Sequence, residues 1–137
     1  MLSSDFCRAL VADDEGDQSA SPQAFAVLRF IAARRLRGGR LTVVDATNVK
    51  RAHRRPLLHL AERSKRPAVA IVFDLPLVVC LAQNRLRPGR QVDEDAIRDQ
   101  WIDLPRPASD LLEEGFEAVY EFHDAAGAAT AEIVPAK

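Results

Sequence analysis

Acidic side chains follow three predicted strands of the 137-residue sequence, at the point where each strand ends. Asp5 follows the first strand, Asp45 the second and Asp74 the third. Thr47 and Asn48 come directly after Asp45 and are candidate substrate-binding residues. Because ligands of parallel sheets bind beyond the carboxyl ends of the strands, these side chains are candidates for one shared site. A carboxylate there can accept the proton of an attacking hydroxyl group. The plainer alternative for each Asp is a turn or helix-capping residue.

Arginines accompany these acids. Arg8 lies three residues after Asp5, which places the two side chains on the same face of a helix. Arg87 and Arg90 lie in a Pro-Gly loop, which is expected to be able to move. Guanidinium groups match the oxygens of a phosphoryl group. The combination of carboxylates and arginines therefore favours transfer of a phosphoryl group to a hydroxyl.

Other kinds of site find less support in the sequence. Zinc binding would need Cys and His at ligand spacing. The available side chains are Cys7, Cys80, His53, His59 and His123. They have no paired spacing, so no metal site is predicted, and both cysteines are expected in the core. No Ser lies in a G-x-S-x-G context, and aromatic residues are only 6% of the chain, too few to suggest base stacking.

Composition indicates one folded domain. Hydrophobic residues make up 47% and charged residues 28% of the chain, which is typical of a globular protein. No apolar run reaches the length of about 18 residues that a membrane span needs, and the amino-terminal residues do not resemble a signal peptide. Two cysteines form no disulfide framework, so a reduced, cytoplasmic protein is predicted.

The net charge of −1 conceals opposite charges along the chain. Residues 29–66 carry twelve Lys and Arg against two acids, net +10, and residues 91–137 carry three basic against twelve acidic residues, net −9. The basic segment favours a nucleic acid or phosphate partner. The alternative is that basic and acidic helices simply face solvent or each other.

Strand and helix patterns alternate, which predicts an α/β fold with a mainly parallel sheet flanked by helices. Strands are predicted at 1–4, 41–44, 68–73 and 117–122, with a weaker one at 130–134 as a possible hairpin partner. Helices are predicted at 6–12, 77–86, 92–104 and 108–114. A further helix has Ser21 as its N-cap and ends at Gly38. A basic helix follows the loop at 45–48 and ends at about Ser64, with a kink or a late start at Pro56. The Ala-rich segment 125–129 is predicted to be a turn.

Four sequence blocks, SSDFCR, DDEGDQ, VVDATN and FDLP, occur in an order that identifies a relative. Residues 2–90 closely resemble the kinase domain of bacterial polynucleotide kinase-phosphatases and their predicted-kinase relatives in the P-loop superfamily. From Val92 on the resemblance is weak. It implies transfer of the γ-phosphate of ATP to the 5′-hydroxyl of a polynucleotide, with Mg²⁺.

The resemblance also implies roles for individual residues. Asp5 corresponds to the general base and Arg8 to the arginine that binds phosphate at the acceptor site. Asp45 corresponds to the carboxylate that holds this acceptor site together, and Arg87 to the lid arginine that reaches the donor phosphates. Gln83 stands where relatives often have a further Arg.

The largest departure from the family is the absence of a G-x-x-x-x-G-K-[ST] loop from these residues. Such a loop binds phosphates and Mg²⁺, and it follows the strand that is normally central in the sheet. We therefore expect a P-loop-kinase-like domain that is incomplete over 1–137, lacking the first, central strand and its helix. Residues 1–90 would form the acceptor and lid region, and 91–137 acidic helices with a terminal strand or hairpin.

Two functions follow as hypotheses. In the first, the chain is the acceptor side of a polynucleotide 5′-kinase, or of a kinase for another hydroxyl acceptor, with little activity alone. In the second, it is a non-catalytic relative that binds nucleic acid or a partner protein through residues 29–66. An open sheet edge would favour a homo-oligomer in either case.

Overall fold

A computed structural model describes residues 1–132 and 134 of the protein. The strands are β1 (Leu2–Ser3), β2 (Val44–Asp45), β3 (Val69–Phe73) and β4 (Ala118–Phe122). The helices are α1 (Ser4–Ala12), α2 (Ser21–Arg37), α3 (Arg51–Arg63), α4 (Leu77–Leu86), α5 (Glu94–Ile102), α6 (Asp110–Glu114) and α7 (Ala125–Thr130), with a short 3₁₀ helix at Gln18–Ala20. The chain divides into two compact units, Met1–Ala68 and Val69–Lys137.

The first unit is built around a pair of parallel two-residue strands. In β1 and β2, Leu2 lies opposite Val44 and Ser3 opposite Asp45. Helix α1 packs against α2, and the buried side chains of Cys7, Ala24 and Leu28 form the core between them. Burial raises the pKa of the Cys7 thiol above its usual value, because a low-dielectric environment disfavours the thiolate.

Helix α1 begins two residues earlier than the hydrophobic pattern predicts. Ser3 is in extended conformation and its Oγ accepts a hydrogen bond from the Phe6 N–H, which satisfies one of the unpaired donors at the helix start. As a result, Asp5 lies within the first turn of α1 and not in a loop after the strand. A carboxylate in this turn also interacts favourably with the helix dipole.

The other two helices of the first unit differ slightly from prediction at their starts. Ala20, and not Ser21, is the N-cap residue of α2, and Pro22 lies in its first turn as expected. Helix α3 runs from Arg51 through Pro56 without a late start. Pro56 has no N–H group and so cannot make the usual hydrogen bond to the carbonyl four residues earlier. The backbone nevertheless remains helical to Arg63.

The second unit is built around longer parallel strands. The five residues of β3 pair in register with the five of β4. The side chains of β3 alternate, with Ala70 and Val72 buried against Ala108 and Leu111, while Val69, Ile71 and Phe73 are about half exposed on the other face. The parallel direction of the strands is confirmed, but the described strands form two two-stranded sheets and not the single sheet that the sequence predicted. The expectation of a homo-oligomer through an open edge remains a prediction.

Three local predictions were wrong. The second strand comprises Val44–Asp45 and not 41–44, so Asp45 is a strand residue. Segment 125–129 forms α7, whose N-cap Asp124 accepts a hydrogen bond from the Gly127 N–H at 2.6 Å. The predicted strand at 130–134 is absent, because Thr130 ends α7 and residues 131, 132 and 134 are not in a strand. Ile133 lies outside the described residues. Without a strand at the described residues of this segment, the hairpin with β4 is not formed there either.

No described helix combines the length and the apolar character that a membrane crossing requires.

Candidate active site

The carboxyl edge of the β1–β2 pair brings two of the predicted acids together. Ser3 and Asp45 are paired across the two strands, and Asp5 follows Ser3 by two residues in the first turn of α1. This is the edge at which parallel sheets bind their ligands. Both acids lie at strand ends, Asp45 as the last residue of β2 and Asp5 two residues after β1, and their roles remain predictions.

Arg8 fixes the Asp5 carboxylate. Its Nη2 donates a hydrogen bond to Asp5 Oδ1 and forms an ion pair with it. Its Nε donates to the backbone carbonyl of Glu15 at 2.8 Å. The Arg8 residue is only 5% exposed, whereas the Asp5 side chain is 28% exposed. Asp5 is therefore oriented from the buried side and still accessible from solvent.

The DDEGD segment that Arg8 contacts is an ordered loop with its own hydrogen bonds. Asp13 closes α1 in a left-handed conformation with φ of 56°, and Asp14 Oδ1 accepts a bond from the Gly16 N–H at 2.8 Å. Asp17 Oδ1 accepts bonds from the backbone and hydroxyl of Ser19, which lower the pKa of the Asp17 carboxyl. The acids of this block therefore build a turn. Sequence reasoning missed that Arg8 anchors it, and the Arg8 spacing alone could not have indicated a carbonyl partner.

The loop after β2 holds Asp45, Thr47 and Asn48. Asp45 and Thr47 are exposed, and no hydrogen bond or ion pair reaches the Asp45 carboxylate from the described part of its own unit. The backbone behind them is fixed by Arg54, which is 7% exposed. Arg54 Nη1 donates to the Asn48 carbonyl at 2.9 Å and to the Val49 carbonyl. This buried guanidinium was not predicted as a site residue, although it holds the loop in place.

The predicted lid arginines lie in the second unit, after α4. Arg87 is the C-cap residue of α4, and the loop continues through Gly89, whose φ of 77° favours glycine. The base of this loop is closed by Asn84, whose Nδ2 and Oδ1 bond to the backbone of Val92, both at 2.8 Å. Arg87 is exposed and Arg90 half-buried at the tip. The loop is thus closed at its base, which the Pro-Gly sequence did not indicate.

The third predicted acid, Asp74, has a structural role. Arg106 donates to Asp74 Oδ1 through Nε at 3.0 Å and through Nη2 at 2.6 Å. The Arg106 guanidinium also lies 4.2 Å from the ring centre of Trp101, and Trp101 Nε1 donates to the Leu75 carbonyl. The Arg106 hydrogen bond lowers the pKa of the Asp74 carboxyl. The ion pair of Asp74 with Arg106 therefore connects the end of β3 to the segment after α5, and we exclude Asp74 from the candidate site.

The described residues do not fit Mg²⁺ and ATP by themselves. P-loop NTPase-like families generally use both, through a glycine-rich loop with Lys and Ser or Thr. None of the six glycines lies in such a motif. A Cβ on Gly16 would lie 3.1 Å from Asp14 Oδ1, within the turn, so that glycine serves the turn itself. Within residues 1–132 and 134, no three His, Cys, Asp or Glu side chains are grouped to hold a metal.

Comparison with known proteins gives one family. No curated protein matches the chain. The sequence model of a family described as AAA domain matches residues 1–107. It extends beyond residue 90, where the sequence resemblance weakened, and includes the whole of α5. The chain therefore belongs to the AAA domain family and is a P-loop kinase-like α/β protein.

Proposed function

We propose that the first unit carries the acceptor site of a polynucleotide 5′-kinase-like phosphotransferase. The observation that carries this proposal is the pairing of Ser3 with Asp45. It brings the Asp5 and Asp45 segments to the same edge of a parallel strand pair, in a member of a P-loop kinase-like family. A cytoplasmic location remains a prediction from the cysteine content.

In the proposed reaction, the Asp5 carboxylate accepts the proton of the attacking hydroxyl as its oxygen bonds to the transferred phosphorus. The bond from phosphorus to the donor oxygen breaks, and the donor leaves with that electron pair. Arg8 keeps the Asp5 carboxylate in position through their ion pair. Asp45, exposed at the end of β2, is proposed to hold the acceptor site together beside Asp5, while the single proton of the hydroxyl goes to Asp5.

The donor side of the reaction is supported only by the resemblance. Arg87 and Arg90, at the tip of the loop after α4, are proposed to contact the donor phosphates. Because these 137 residues contain no G-x-x-x-x-G-K-[ST] loop, we propose that they bind ATP and Mg²⁺ poorly unless a loop from outside them is supplied. Calorimetric titration with ATP and Mg²⁺ tests this directly, and a dissociation constant in the low micromolar range would contradict it.

Binding of oligonucleotide ends tests the acceptor site without a donor. Fluorescence anisotropy would compare a single-stranded oligonucleotide bearing a 5′-hydroxyl with the same strand bearing a 5′-phosphate. We expect the hydroxyl end to bind more tightly, and Asp45→Asn to weaken its binding by about tenfold, because the variant removes one of the two carboxylates of the acceptor site. The matched control is Asp99→Asn, an exposed acid on α5, which should change nothing. Equal binding of both ends, unaffected by Asp45→Asn, would contradict the proposal.

A second candidate function is binding of nucleic acid without catalysis, and the surface of the first unit favours it. This unit carries thirteen Lys and Arg against seven acids, net +6. Nine of its basic residues are exposed within 29–66. They are Arg34, Arg37, Arg40, Lys50, Arg51, Arg55, Arg63, Lys65 and Arg66. Such a surface binds the phosphate backbone and releases counterions.

Salt dependence distinguishes the two functions. Backbone binding alone would weaken steeply with salt, treat 5′-hydroxyl and 5′-phosphate strands alike, and lose about one unit of salt slope for each phosphate-contacting residue removed. Arg51→Gln together with Arg55→Gln would then lower affinity for both strands equally. Asp45→Asn would have little effect in that case.

A further inference from the structure

One buried acceptor atom in the loop of the candidate site has no partner among the residues that the structure describes. Asn48 Oδ1 is buried and receives no hydrogen bond from the described residues. Only one other side-chain nitrogen or oxygen in that part of the chain, Arg35 Nε, is in the same situation. Folded proteins satisfy most buried polar side-chain atoms, so an unsatisfied one requires an explanation.

The position of Asn48 is fixed by the backbone. Arg54 Nη1 donates to the carbonyl of Asn48 and to that of Val49. Asn48 lies three residues after Asp45, which ends β2 at the carboxyl edge of the strand pair. The buried acceptor oxygen therefore belongs to a loop whose backbone is held next to the proposed acceptor site. It is not a side chain of a freely moving segment.

The other asparagine of the chain shows how this fold treats a buried amide with a structural role. Asn84 is 9% exposed, and both of its amide heteroatoms bond to the backbone of Val92 at 2.8 Å. Asn84 thus closes a loop and leaves no amide atom unpaired. Asn48 contributes no comparable bond through Oδ1, so that atom is not explained by the packing of the loop.

We propose that Asn48 Oδ1 accepts a hydrogen bond from the acceptor molecule, which therefore carries a second donor besides the reacting hydroxyl. The donor is a neutral hydroxyl or amino group, since an amide oxygen accepts from either. The terminal nucleotide of a polynucleotide offers both, as the ribose 2′-hydroxyl and as an amino group on the base. This inference rests on the proposed function and makes Asn48 a specificity-determining residue.

The first test is stability. Asn48→Leu replaces an unsatisfied buried acceptor with an apolar group of similar size, and we expect its melting temperature to equal or exceed that of the unsubstituted chain. The matched control, Asn84→Leu, removes two hydrogen bonds and should melt several degrees lower. If Asn48→Leu melts as low as Asn84→Leu, the Asn48 side chain is structural and the proposal is overturned.

The second test is selectivity, measured as anisotropy of short 5′-hydroxyl oligonucleotides. Their first nucleotide would be adenosine, 2′-deoxyadenosine, or a purine riboside without the 6-amino group. We expect removal of one of these two donors to weaken binding to the unsubstituted chain by about tenfold, and to have no effect with Asn48→Leu. Equal responses of the two proteins to both analogues would overturn the proposal.

The outcomes separate this inference from the function on which it rests. If Asp45→Asn weakens binding of 5′-hydroxyl ends while Asn48→Leu changes neither affinity nor selectivity, the acceptor site stands and the role of Asn48 fails. If the unsubstituted chain does not prefer 5′-hydroxyl ends at all, the proposed function fails first.

Discussion

The two strand pairs end in acids that the molecule uses differently. In the second unit, Asp74 follows β3 and is bound by two nitrogens of Arg106, with His123 Nδ1 at 3.8 Å from its other oxygen. In the first unit, Asp45 ends β2, and its carboxylate is exposed with no partner among the described residues of that unit. The acid at a strand end is thus part of the framework in one unit and available to a ligand in the other. Position alone does not make such an acid a site residue.

The two Asp–Arg pairs also differ in burial. The Arg8 side chain is 6% exposed, and the Arg106 side chain is 34% exposed. Arg8 additionally holds a backbone carbonyl of the DDEGD loop, whereas Arg106 stacks on an aromatic ring. A buried ion pair costs more to break than an exposed one. The comparison therefore predicts that the first unit depends more on its arginine than the second does.

The largest expected effect is that of Arg8→Met, which keeps the volume of the side chain but removes its charge. It would remove the ion pair with the Asp5 carboxylate and the hydrogen bond to the Glu15 carbonyl. We expect a loss of about 2 to 3 kcal/mol in the free energy of unfolding, measured by urea denaturation. Arg37→Met, at the exposed end of α2, is the control and should change stability by less than about 0.5 kcal/mol. A loss no greater than in this control would contradict the comparison.

A smaller effect is expected from Arg106→Ala. Loss of a partly exposed ion pair and of the contact with Trp101 should reduce stability by about 1 to 2 kcal/mol at neutral pH. Because the folded-state pKa of Asp74 is lowered, the pair stabilises the protein above the usual Asp pKa of about 3.9 and ceases to do so as the pH falls through the lowered value.

The difference in unfolding free energy between Arg106→Ala and the unsubstituted chain should therefore shrink as the pH falls below about 4. Thermal unfolding at a series of pH values measures it. A difference that is constant between neutral and acidic pH would mean that the contacts of Arg106 with the Trp101 ring and backbone carbonyl, and not the ion pair, account for the stabilisation.

The smallest effect on stability is expected at Asp45. Asp45→Asn should change the free energy of unfolding by less than about 0.5 kcal/mol, since it removes no interaction with the described residues of its unit, whereas Asp74→Asn should cost about 1 kcal/mol. Paired urea titrations of the two variants measure this difference directly. Equal losses of unfolding free energy in the two variants would contradict the assignment of a structural role to Asp74 and of a ligand-binding role to Asp45.

The strand-to-helix alternation of the sequence predicted the parallel direction of the strands and most elements, but not the division of the described strands into two pairs. Helix α4 has the predicted bounds of 77–86, because a hydrophobic run between Pro76 and a basic loop leaves few alternatives. Errors of one or two residues occurred where a single side chain decides the boundary. Helix α1 starts early because Ser3 Oγ accepts a hydrogen bond from the Phe6 N–H as the N-cap. The periodicity of apolar residues does not indicate such a bond.

The candidate site was predicted less completely. Asp5, Arg8 and Asp45 were predicted as site residues from strand ends and from the family resemblance, and their roles remain predictions. Three contacts of the site and its surroundings are tertiary. They are the hydrogen bonds from Arg8 to Glu15, from Arg54 to Asn48 and from Arg106 to Asp74. Residue types and spacing along the chain do not determine such contacts, since Asp74 and Arg106 are 32 positions apart.

The closure of the arginine loop by Asn84 and Val92 has a consequence for how this protein can diversify. The Asn84 side-chain amide makes two hydrogen bonds to the Val92 backbone and so holds the two ends of the loop together. Residues inserted at the tip would therefore leave the ends of the loop in place. Lengthening a loop to twice its size costs only about 0.6 kcal/mol of closure entropy. The segment between Arg87 and Gln91 is therefore where insertions and deletions should be tolerated best, so that the reach of its arginines can change while α4 and α5 stay as they are.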